Sequence, residues 1–311
     1  MLDEIAARVR ENIKRVIVGK DDVIDLMMIA VLSEGHVLLE DVPGTGKTTL
    51  AKAMAISLGC TFRRIQFTPD LLPSDVTGVN FFNQKTQAFE FRPGPVLSQV
   101  VLADEINRAT PRTQSAMLEG MQERQMTIDG ETHPLPRPFL VMATQNPIEL
   151  EGTFPLPEAQ LDRFLLRVAL GYPDEEEENA ILRRFRTDDP LENLQPVTDP
   201  TTILEQIRQV GDIHVADAVQ NYLVTITRRT RNYEEIDLGA SPRATLALYR
   251  TAQARAAIAG RDFVLPDDVK YLAPYVLTHR IQINPQTRLR GRRAEDVISD
   301  LVSTIPVPVE R

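Results

Sequence analysis

The sequence predicts an α/β fold in which a parallel sheet wrapped by helices is followed by an α-helical lid domain. The runs "HVLLE", "VVLA" and "PFLVMA" read as buried strands, because each is short, aliphatic and bounded by polar or turn-forming residues. "TTLAKAMAISLG" reads as a helix after the first of these strands, and so do "TILEQIRQV", "ADAVQNYLVTITRRTRN", "PRATLALYRTAQARAAIAG" and "PDDVKYLAPYVLTHR" in the second half. Since strands and helices alternate only in the first half, we expect the sheet there.

The boundary between the two domains is expected near residue 171. Gly171 and Pro173 interrupt the chain, and the acidic run in "GYPDEEEENAILRRF" suits a first helical turn, where carboxylates interact favourably with the helix dipole. We therefore predict an α/β core over residues 1–171, which includes an N-terminal helix, and a helical lid over residues 172–311.

Composition limits the classes of function. The chain has 311 residues, 42% of them apolar and 25% charged, which is enough for two modest cores. A net charge of -9 counts against broad adhesion to nucleic acid. The single cysteine, Cys60, permits no internal disulfide, and the charged N-terminal segment lacks the apolar centre of a signal peptide. We expect a cytoplasmic protein without a membrane span.

A glycine-rich turn in "HVLLEDVPGTGKTTLAKAMA" (residues 36–55) lies between a predicted strand and a predicted helix. It almost fits the phosphate-loop pattern G-x-x-x-x-G-K-[ST], but Asp41 stands where the first glycine is expected. Gly44 and Gly46 let the backbone approach a phosphate, Lys47 reaches the terminal phosphates, and the hydroxyl of Thr48 suits Mg²⁺. The nucleotide-binding stretch is completed by Pro43, Thr45 and Thr49. The alternative is an ordinary turn with an exposed lysine.

Asp41 lies at the entrance of this loop, where glycine eases the exit of the chain from the strand. Its presence is expected to alter the geometry of the entrance and to leave the anion-binding end of the loop intact.

Polar residues follow the next two predicted strands. Asp104 and Glu105 end "VVLADE", a Walker B pattern in which Asp104 would hold Mg²⁺ and Glu105 would act as general base toward water. Asn146 follows "FLVMATQ", and its amide can orient water near a γ-phosphate. The alternatives are solvated strand ends for the two acids and an Asn-Pro turn for Asn146.

Two arginines are further candidates. "AQLDRF" places Arg163 on a short helix, where it could reach into a neighbouring subunit as an arginine finger, the alternative being a surface salt bridge with Asp162. In "GASPRATLALYR", Ser241 is the expected N-cap, Pro242 the first helical residue and Arg243 part of the first turn. A cation there opposes the helix dipole unless an anion lies opposite.

These motifs, in this order, resemble the AAA+ ATPases, and several phrases are similar to those of the MoxR branch. The similarity covers nearly the whole chain and is carried by "VIVGKDDVIDLMMIAVLSEGHVLLEDVPGTGKTTLAKAMA", "QFTPDLLPSDVTG", "VVLADEINRATPRTQSAMLEGMQE", "MATQNPIELEGTFPLPEAQLDRF", "GASPRA" and "VLPDDVKYLAPYVLTHRI". The resemblance implies an AAA+ P-loop core with β-hairpin insertions and an ATPase that uses ATP and Mg²⁺. "EDVPG" is common in that branch, so Asp41 looks like a habit of the branch.

The resemblance also implies a role for each candidate. The Walker residues would be Lys47, Thr48, Asp104 and Glu105. Asn146 would be sensor 1, Arg163 the arginine finger and Arg243 sensor 2. Val18 and Gly19 would lie against adenine, a contact that only the resemblance implies.

Two segments read as the β-hairpin insertions. "GVNFFNQKTQAFEFRPGPV" has alternating aromatic residues on both sides of a polar turn, and "QMTIDGETHPLPRPF" has the hairpin turn Asp129-Gly130 between short strands. Phe82 could be an exposed substrate contact, but aromatic residues in hairpins usually pack, and we expect packing here.

The leading functional hypothesis is a homo-oligomeric, hexameric ring ATPase. MoxR-like proteins act as chaperone-like remodelling or maturation factors on protein partners, often ones with a von Willebrand A domain. A magnesium-chelatase-like ATPase subunit, a nucleic-acid motor or loader, and a scaffold that binds nucleotide without hydrolysis stay open as alternatives. The acidic balance counts against the nucleic-acid motor, and the presence of Glu105 and Asn146 counts against the scaffold.

Overall fold

The computed structural model describes residues 2–146, 152–186 and 188–308. Its strands are β1 (Val37–Glu40), β2 (Phe62–Gln66), β3 (Gly78–Asn83), β4 (Ala88–Pro93), β5 (Val100–Asp104), β6 (Gln125–Ile128), β7 (Glu131–Pro134), β8 (Leu140–Gln145), β9 (Leu166–Val168), β10 (Ile236–Leu238) and β11 (Gln282–Ile283). Its helices are α1 (Leu2–Lys14), α2 (Asp21–Leu32), α3 (Lys47–Ser57), α4 (Pro73–Thr77), α5 (Pro111–Glu123), α6 (Glu158–Leu161), α7 (Glu175–Arg184), α8 (Pro200–Val210), α9 (Asp217–Arg229), α10 (Pro242–Ile258), α11 (Pro266–Leu277), α12 (Pro285–Leu289) and α13 (Ala294–Thr304).

The central sheet has five strands in the order β2-β5-β8-β1-β9, and each neighbouring pair is parallel. The predicted parallel sheet is therefore confirmed. From β1 the chain crosses to β2, the strand at one edge of the sheet, and β5 and β8 then fill the places between them. The last strand, β9, pairs with β1 on its other side, so the direction in which strands are added reverses beside β1. Such a switch point leaves a crevice outside the carboxyl ends of the strands, where ligands bind in open α/β sheets.

Alternate residues of β1 belong to two different apolar cores, one on each face of the sheet. Val37 and Leu39 join a core that includes α1, α2 and α3 and continues into the helices of the second half. Leu38 joins a smaller core with residues of β5, β8, α5 and the second hairpin. The period-2 alternation of a strand explains this division. The helices of the second half thus share one continuous core with three helices of the sheet domain.

The four long helices predicted in the second half are confirmed as α8, α9, α10 and α11, and the acidic run begins α7. Asp174 caps α7: its carboxylate accepts a hydrogen bond from the amide of Glu177, whose carboxylate in turn accepts from the amide of Asp174. The antiparallel pair β10-β11 was not predicted, since strands of three and two residues are too short to show a pattern. The expected boundary at residue 171 lies between β9 and α7 and stays a prediction.

Both predicted hairpins are confirmed. β3 pairs with β4 and β6 with β7, each antiparallel, and Asp129 and Gly130 have φ of 51° and 87°, as a tight hairpin turn requires. The expectation that Phe82 packs is wrong: this residue is 52% exposed and Phe89 is 75% exposed. Their rings contact each other edge to face, with centroids 5.4 Å apart. Both rings stay largely exposed among the residues that the structure describes, where β3 and β4 form a two-stranded sheet of their own.

Within the part of the chain that the structure describes, no helix combines the length and the apolar composition needed to cross a membrane. Cys60 follows α3 and is only partly accessible, and its thiol donates a weak hydrogen bond to the carbonyl oxygen of Leu58 at 3.7 Å. Burial raises the pKa of this thiol to about 12.

His36, immediately before β1, is buried. Its Nδ1 accepts from the amide of Val141 at 3.1 Å, so Nε2 carries the hydrogen and donates to the carbonyl oxygen of Met121 at 3.0 Å. Burial, together with a smaller effect of the nearby Arg124, lowers the pKa of His36 to about 4, against the opposing effect of the hydrogen bond to Met121. The ring is therefore neutral in the folded protein at neutral pH.

Acidification should destabilise the fold through His36. In the unfolded chain the imidazole of His36 gains a proton as the pH falls below about 6.5, whereas in the folded protein it stays neutral down to about pH 4. The contribution of His36 to stability is therefore fully present above pH 6.5 and is lost as the pH falls between these values. Between pH 7 and pH 5, the free energy of unfolding of the wild type should fall by about 2 kcal/mol more than that of His36→Gln. Urea unfolding at both pH values measures this.

His133→Gln is the matched control, since this histidine stacks on Phe91 in the hairpins and is not fully buried. An unchanged pH dependence in His36→Gln would contradict the assignment.

Candidate functional site

A cavity of about 260 Å³ lies at the carboxyl ends of the parallel strands. It brings together seven of the residues predicted from the sequence, namely Pro43, Gly44, Lys47, Thr48, Asp104, Glu105 and Asn146. Asp41 lines it as well. Strands β1, β5 and β8 deliver these side chains to one place because their carboxyl ends meet at the same edge of the sheet. Thr45, Gly46 and Thr49 belong to the same loop and the first turn of α3 without lining the cavity.

The turn from β1 to α3 has the backbone of an anion-binding loop. Gly44 and Gly46 have φ of 84° and 88°, a region that favours glycine, and a Cβ at either position would meet only open space. Gly46 precedes α3 without a side-chain cap, so the first amides of this helix are not satisfied by a capping side chain. Unpaired amides and the helix dipole together favour a negative group at this end.

Lys47, the first residue of α3, folds back over the loop. Its ammonium group donates to the carbonyl oxygens of Val42 at 2.6 Å and Asp41 at 3.3 Å, and lies 3.5 Å from the hydroxyl of Thr45. These contacts hold a positive charge beside the amides of the loop. The arrangement fits a polyphosphate, which needs both donors and a cation.

Asp104 and Glu105 are held by a polar network on neighbouring strands. The Thr144 hydroxyl donates to the Asp104 carboxylate at 2.6 Å and accepts from the amide of Glu105 at 2.8 Å. Gln66 donates to the Glu105 carboxylate at 2.9 Å, and the guanidinium of Arg64 contacts Asp104 through Nε at 3.0 Å and Nη2 at 2.5 Å. The two acids are therefore fixed in direction.

The backbone of Glu105 is in the left-handed region, with φ of 56° and ψ of 49°. This conformation costs of order 1 to 3 kcal/mol for a residue other than glycine and persists only where the surroundings impose it. Here the hydrogen bond from the Glu105 backbone amide to the Thr144 hydroxyl holds the conformation, and Glu105 lines the cavity.

Arg64, Gln66 and Thr144 were not predicted from the sequence. Arg64 and Gln66 lie two residues apart on β2, so both side chains leave the same face of this edge strand near its carboxyl end. The parallel pairing of β2 with β5 was the signal that could have found them, because it places Gln66 opposite Asp104.

The oxygen donors in the cavity suit a hard divalent cation. Thr48 supplies a hydroxyl and Asp104 a carboxylate, and both line the same cavity as the loop. Mg²⁺ prefers oxygen ligands of this kind together with substrate phosphates, so these residues fit the predicted metal.

Val18 and Gly19 lie in the turn between α1 and α2 and do not line this cavity. Gly19 has φ of 63°, and a Cβ there would lie 1.8 Å from a carboxylate oxygen of Glu177. Lys20 pairs with the same carboxylate at 3.1 Å. The turn is thus in contact with α7, and the adenine contact expected of it stays a prediction.

Arg163 and Arg243 line a second cavity, of about 270 Å³, at the opposite edge of the sheet. Its other lining residues include Gly35 and His36, which precede β1, and Leu165, which precedes β9. It shares no residue with the first cavity. The prediction that Arg163 lies on a short helix is wrong: α6 ends at Leu161, and Arg163 is in the turn that follows, since the chain must bend there to enter β9.

Asp162 connects this turn to the start of α10. Its carboxylate accepts from the Ser241 hydroxyl at 3.2 Å and lies 4.0 Å from Arg243, so an anion does lie at the N-terminus of α10. Among the described residues, the ion-pair partners of Asp162 are Arg243 and Arg280, and not Arg163. The alternative of an Asp162–Arg163 pair is therefore wrong.

Arg280 is the buried partner of this carboxylate. Its side chain is 2% exposed and donates to Asp162 at 2.8 Å and to the carbonyl oxygen of Leu165 at 3.1 Å. Further N–H groups contact the carbonyl oxygens of Phe164 and Val276. Burial lowers the pKa of Arg280 to about 10, against the opposing effect of Asp162. The residues around Arg163 are thereby fixed by the second half of the chain.

Comparisons with known proteins agree with this architecture. Residues 36–166 match the family model described as the ATPase family associated with various cellular activities (AAA), and residues 228–301 match the AAA lid domain. A crystal structure of a protein from Cytophaga hutchinsonii has a TM-score of 0.93 at 38% identity, covering 99% of this chain and 96% of the other.

Curated relatives extend over almost the full chain. The uncharacterized protein YeaC of Bacillus subtilis is 49% identical over 100% of this chain and 97% of its own length. Chaperone MoxR1 of Mycobacterium tuberculosis is 43% identical over 96% of this chain and 81% of its own. Protein MoxR of Methylorubrum extorquens is 30% identical, over 98% and 96% respectively. Together with the phosphate loop and the paired acids at the carboxyl edge of the sheet, these similarities show that the chain belongs to the MoxR family of AAA+ ATPases.

Proposed function

We propose that this chain hydrolyses ATP to ADP and phosphate with Mg²⁺, at a site completed by a neighbouring subunit of a homo-oligomeric ring. The observation that carries the proposal is that the candidate residues lie at opposite ends of the strands of the sheet. The phosphate loop and the acids line one cavity, and both arginines line the other.

The separation follows the length of β1. His36 precedes this strand at one cavity and Asp41 follows it at the other. Four strand residues at about 3.3 Å each place roughly 13 Å between the cavities. Arg163 and Arg243 therefore lie about one strand length from the loop of their own subunit and suit the loop of an adjacent one.

Each residue of the first cavity has a proposed task. The amides around Gly44 and Gly46 and the ammonium group of Lys47 hold the phosphates. Thr48 and Asp104 would hold Mg²⁺, which when bound neutralises charge on the phosphate oxygens. Glu105 accepts a proton from the attacking water, and Asn146 orients it. The water oxygen bonds to the γ-phosphorus as the bond to the bridging oxygen breaks, and ADP leaves.

The arginines act on charge that develops in the transition state. Phosphoryl transfer spreads negative charge over the γ-phosphate oxygens, and a guanidinium aimed there can contribute about 10³- to 10⁵-fold to the rate. Arg163 is suited to this task because the contacts of Arg280 fix the turn that carries it. We propose the same trans action for Arg243, which lines the same cavity.

We further propose that the ring is hexameric and remodels protein partners, including ones with a von Willebrand A domain. Support comes from the relative named Chaperone MoxR1 and from the acidic balance of the chain, which disfavours nucleic acid. A pull-down with Glu105→Gln in the presence of ATP tests the class of partner. Recovery of nucleic acid in place of protein would contradict the proposal.

Two substitutions should separate nucleotide binding from hydrolysis. Lys47→Ala removes the cation of the loop and should abolish tight binding of ATP. Glu105→Gln should bind ATP normally and hydrolyse it roughly 10²- to 10⁴-fold more slowly, because the general base is lost. Equilibrium binding of a fluorescent ATP analogue and phosphate release measure the two effects. Near-normal turnover in Glu105→Gln would remove it from this role.

Mixing experiments should show that both arginines act in trans. Arg163→Ala and Arg243→Ala should each be inactive alone and regain activity when mixed with Glu105→Gln, because some interfaces then pair an intact Glu105 with intact arginines. A mixture of Arg163→Ala with Arg243→Ala should stay inactive, since every interface lacks one arginine. Steady-state phosphate release of co-assembled mixtures measures this.

The control is Arg293→Ala, at an exposed arginine that lines neither cavity. Rescue in the mixture of the two arginine variants would show instead that Arg243 acts on the loop of its own subunit. Wild-type activity of Arg163→Ala alone would show that Arg163 is not the arginine finger.

A further inference from the structure

The carboxylate of Asp41, at the position where the phosphate-loop pattern has glycine, is buried and makes three hydrogen bonds. One oxygen accepts from the amides of Leu170 and Gly171, both at 2.9 Å, and the other from the amide of Val42 at 2.9 Å. Asp41 is 8% exposed. A charged acceptor that receives several amides in a buried place makes strong, directional contacts.

The two amides belong to the segment that leads from the sheet to the helical second half. Leu170 and Gly171 follow β9 and precede α7. Asp41 therefore joins the entrance of the phosphate loop to the first residues of this connection, across 129 and 130 positions of sequence. Glycine at the same position would leave these amides without this acceptor, at a cost of about 1 to 3 kcal/mol for a buried donor.

Further contacts tie the same connection to the turn that carries Val18 and Gly19. Lys20 donates to the carbonyl oxygen of Tyr172 at 3.2 Å and pairs with Glu177 at 3.1 Å. Arg184, at the end of α7, donates to the carbonyl oxygen of Ile17 at 3.1 Å. Residues 170–184 thus contact both the phosphate loop and the turn expected at adenine, and neither contact uses a group proposed to hold phosphate.

We infer that Asp41 is a positioning residue that couples the phosphate loop to residues 170–184, so that nucleotide bound at the loop orders the connection to the lid. The inference rests on the proposed function, because it assumes that nucleotide binds at this loop. Coupling is reciprocal: an ordered connection must also favour the bound form of the loop. If Asp41 only stabilised the fold, it would hold the two segments together equally with and without nucleotide.

Hydrogen exchange measured by mass spectrometry, with and without a non-hydrolysable ATP analogue, distinguishes these roles. In the wild type the analogue should slow exchange in peptides covering residues 172–184 by about tenfold, a typical coupling. In Asp41→Gly the slowing should fall below about twofold, while the Kd of the analogue should rise by no more than about tenfold, about 1.4 kcal/mol, because loss of a tenfold coupling can weaken binding by at most that factor. Asp41→Asn keeps an acceptor of the same shape without the charge and should give an intermediate response.

Asp199→Gly is the matched control. The Asp199 carboxylate also accepts from two backbone amides, those of Thr201 at 2.9 Å and Thr202 at 3.1 Å, at the start of α8 and outside both cavities. Its loss should leave the response of residues 172–184 to the analogue unchanged. An equal loss of response in Asp199→Gly would show a general loosening of the fold and overturn the coupling.

Three other outcomes overturn the inference. The first is that Asp41→Gly keeps the full slowing of exchange. The second is that this variant loses more than about 30-fold in affinity for the analogue, which would place Asp41 at the phosphates. The third is that the wild type binds the analogue and shows no slowing. The last needs no variant and decides the matter even if Asp41→Gly does not fold. Failure of the proposed function is distinct, because the wild type would then bind no analogue or Lys47→Ala would bind it equally well.

Discussion

One ion pair, between the buried Arg280 and the partly buried Asp162, supports the placement of the two candidate arginines at the amino ends of the strands. Arg280 comes from the end of the α11 region, and Asp162 from the turn that leads into β9. A buried guanidinium that loses its carboxylate leaves an uncompensated charge, which costs about 3 to 5 kcal/mol. The Asp162 carboxylate also accepts a hydrogen bond from the Ser241 hydroxyl and lies 4.0 Å from the guanidinium of Arg243. The position of the arginines is therefore set by how the helical half packs on the sheet.

Local patterns were sufficient to predict three of the five strands of the central sheet (β1, β5 and β8), the phosphate loop and both hairpins, because each depends on residues close in sequence. The convergence of Lys47, Asp104 and Asn146 also followed, since parallel strands bring their carboxyl ends to one edge. The partners of Asp162 and Asp41 could not be predicted in this way. The contacts of Asp41 with Leu170 and of Asp162 with Arg280 join residues more than 100 positions apart, and a single sequence does not show which distant polar groups will meet.

Exposure was harder to predict than secondary structure. The alternating aromatic residues of the first hairpin identified its strands, but which face is covered depends on what packs against the finished hairpin. Phe91 stacks on His133 of the second hairpin, with ring centroids 4.1 Å apart, while Phe82 and Phe89 are left to each other. The left-handed conformation of Glu105 was equally hard to predict, because the hydroxyl that its amide contacts belongs to Thr144 on a neighbouring strand.

The environment of Cys60 makes this protein suited to site-specific labelling. It is the single cysteine of the chain, and burial holds its thiol in the protonated form far above neutral pH. Maleimides and other alkylating reagents react with the thiolate, so this position is protected from them at neutral pH. A cysteine introduced on an exposed surface, such as the tip of the first hairpin, would carry a dye selectively with the native cysteine still in place. Distances between subunits of the proposed ring could then be followed by energy transfer in an otherwise unaltered chain.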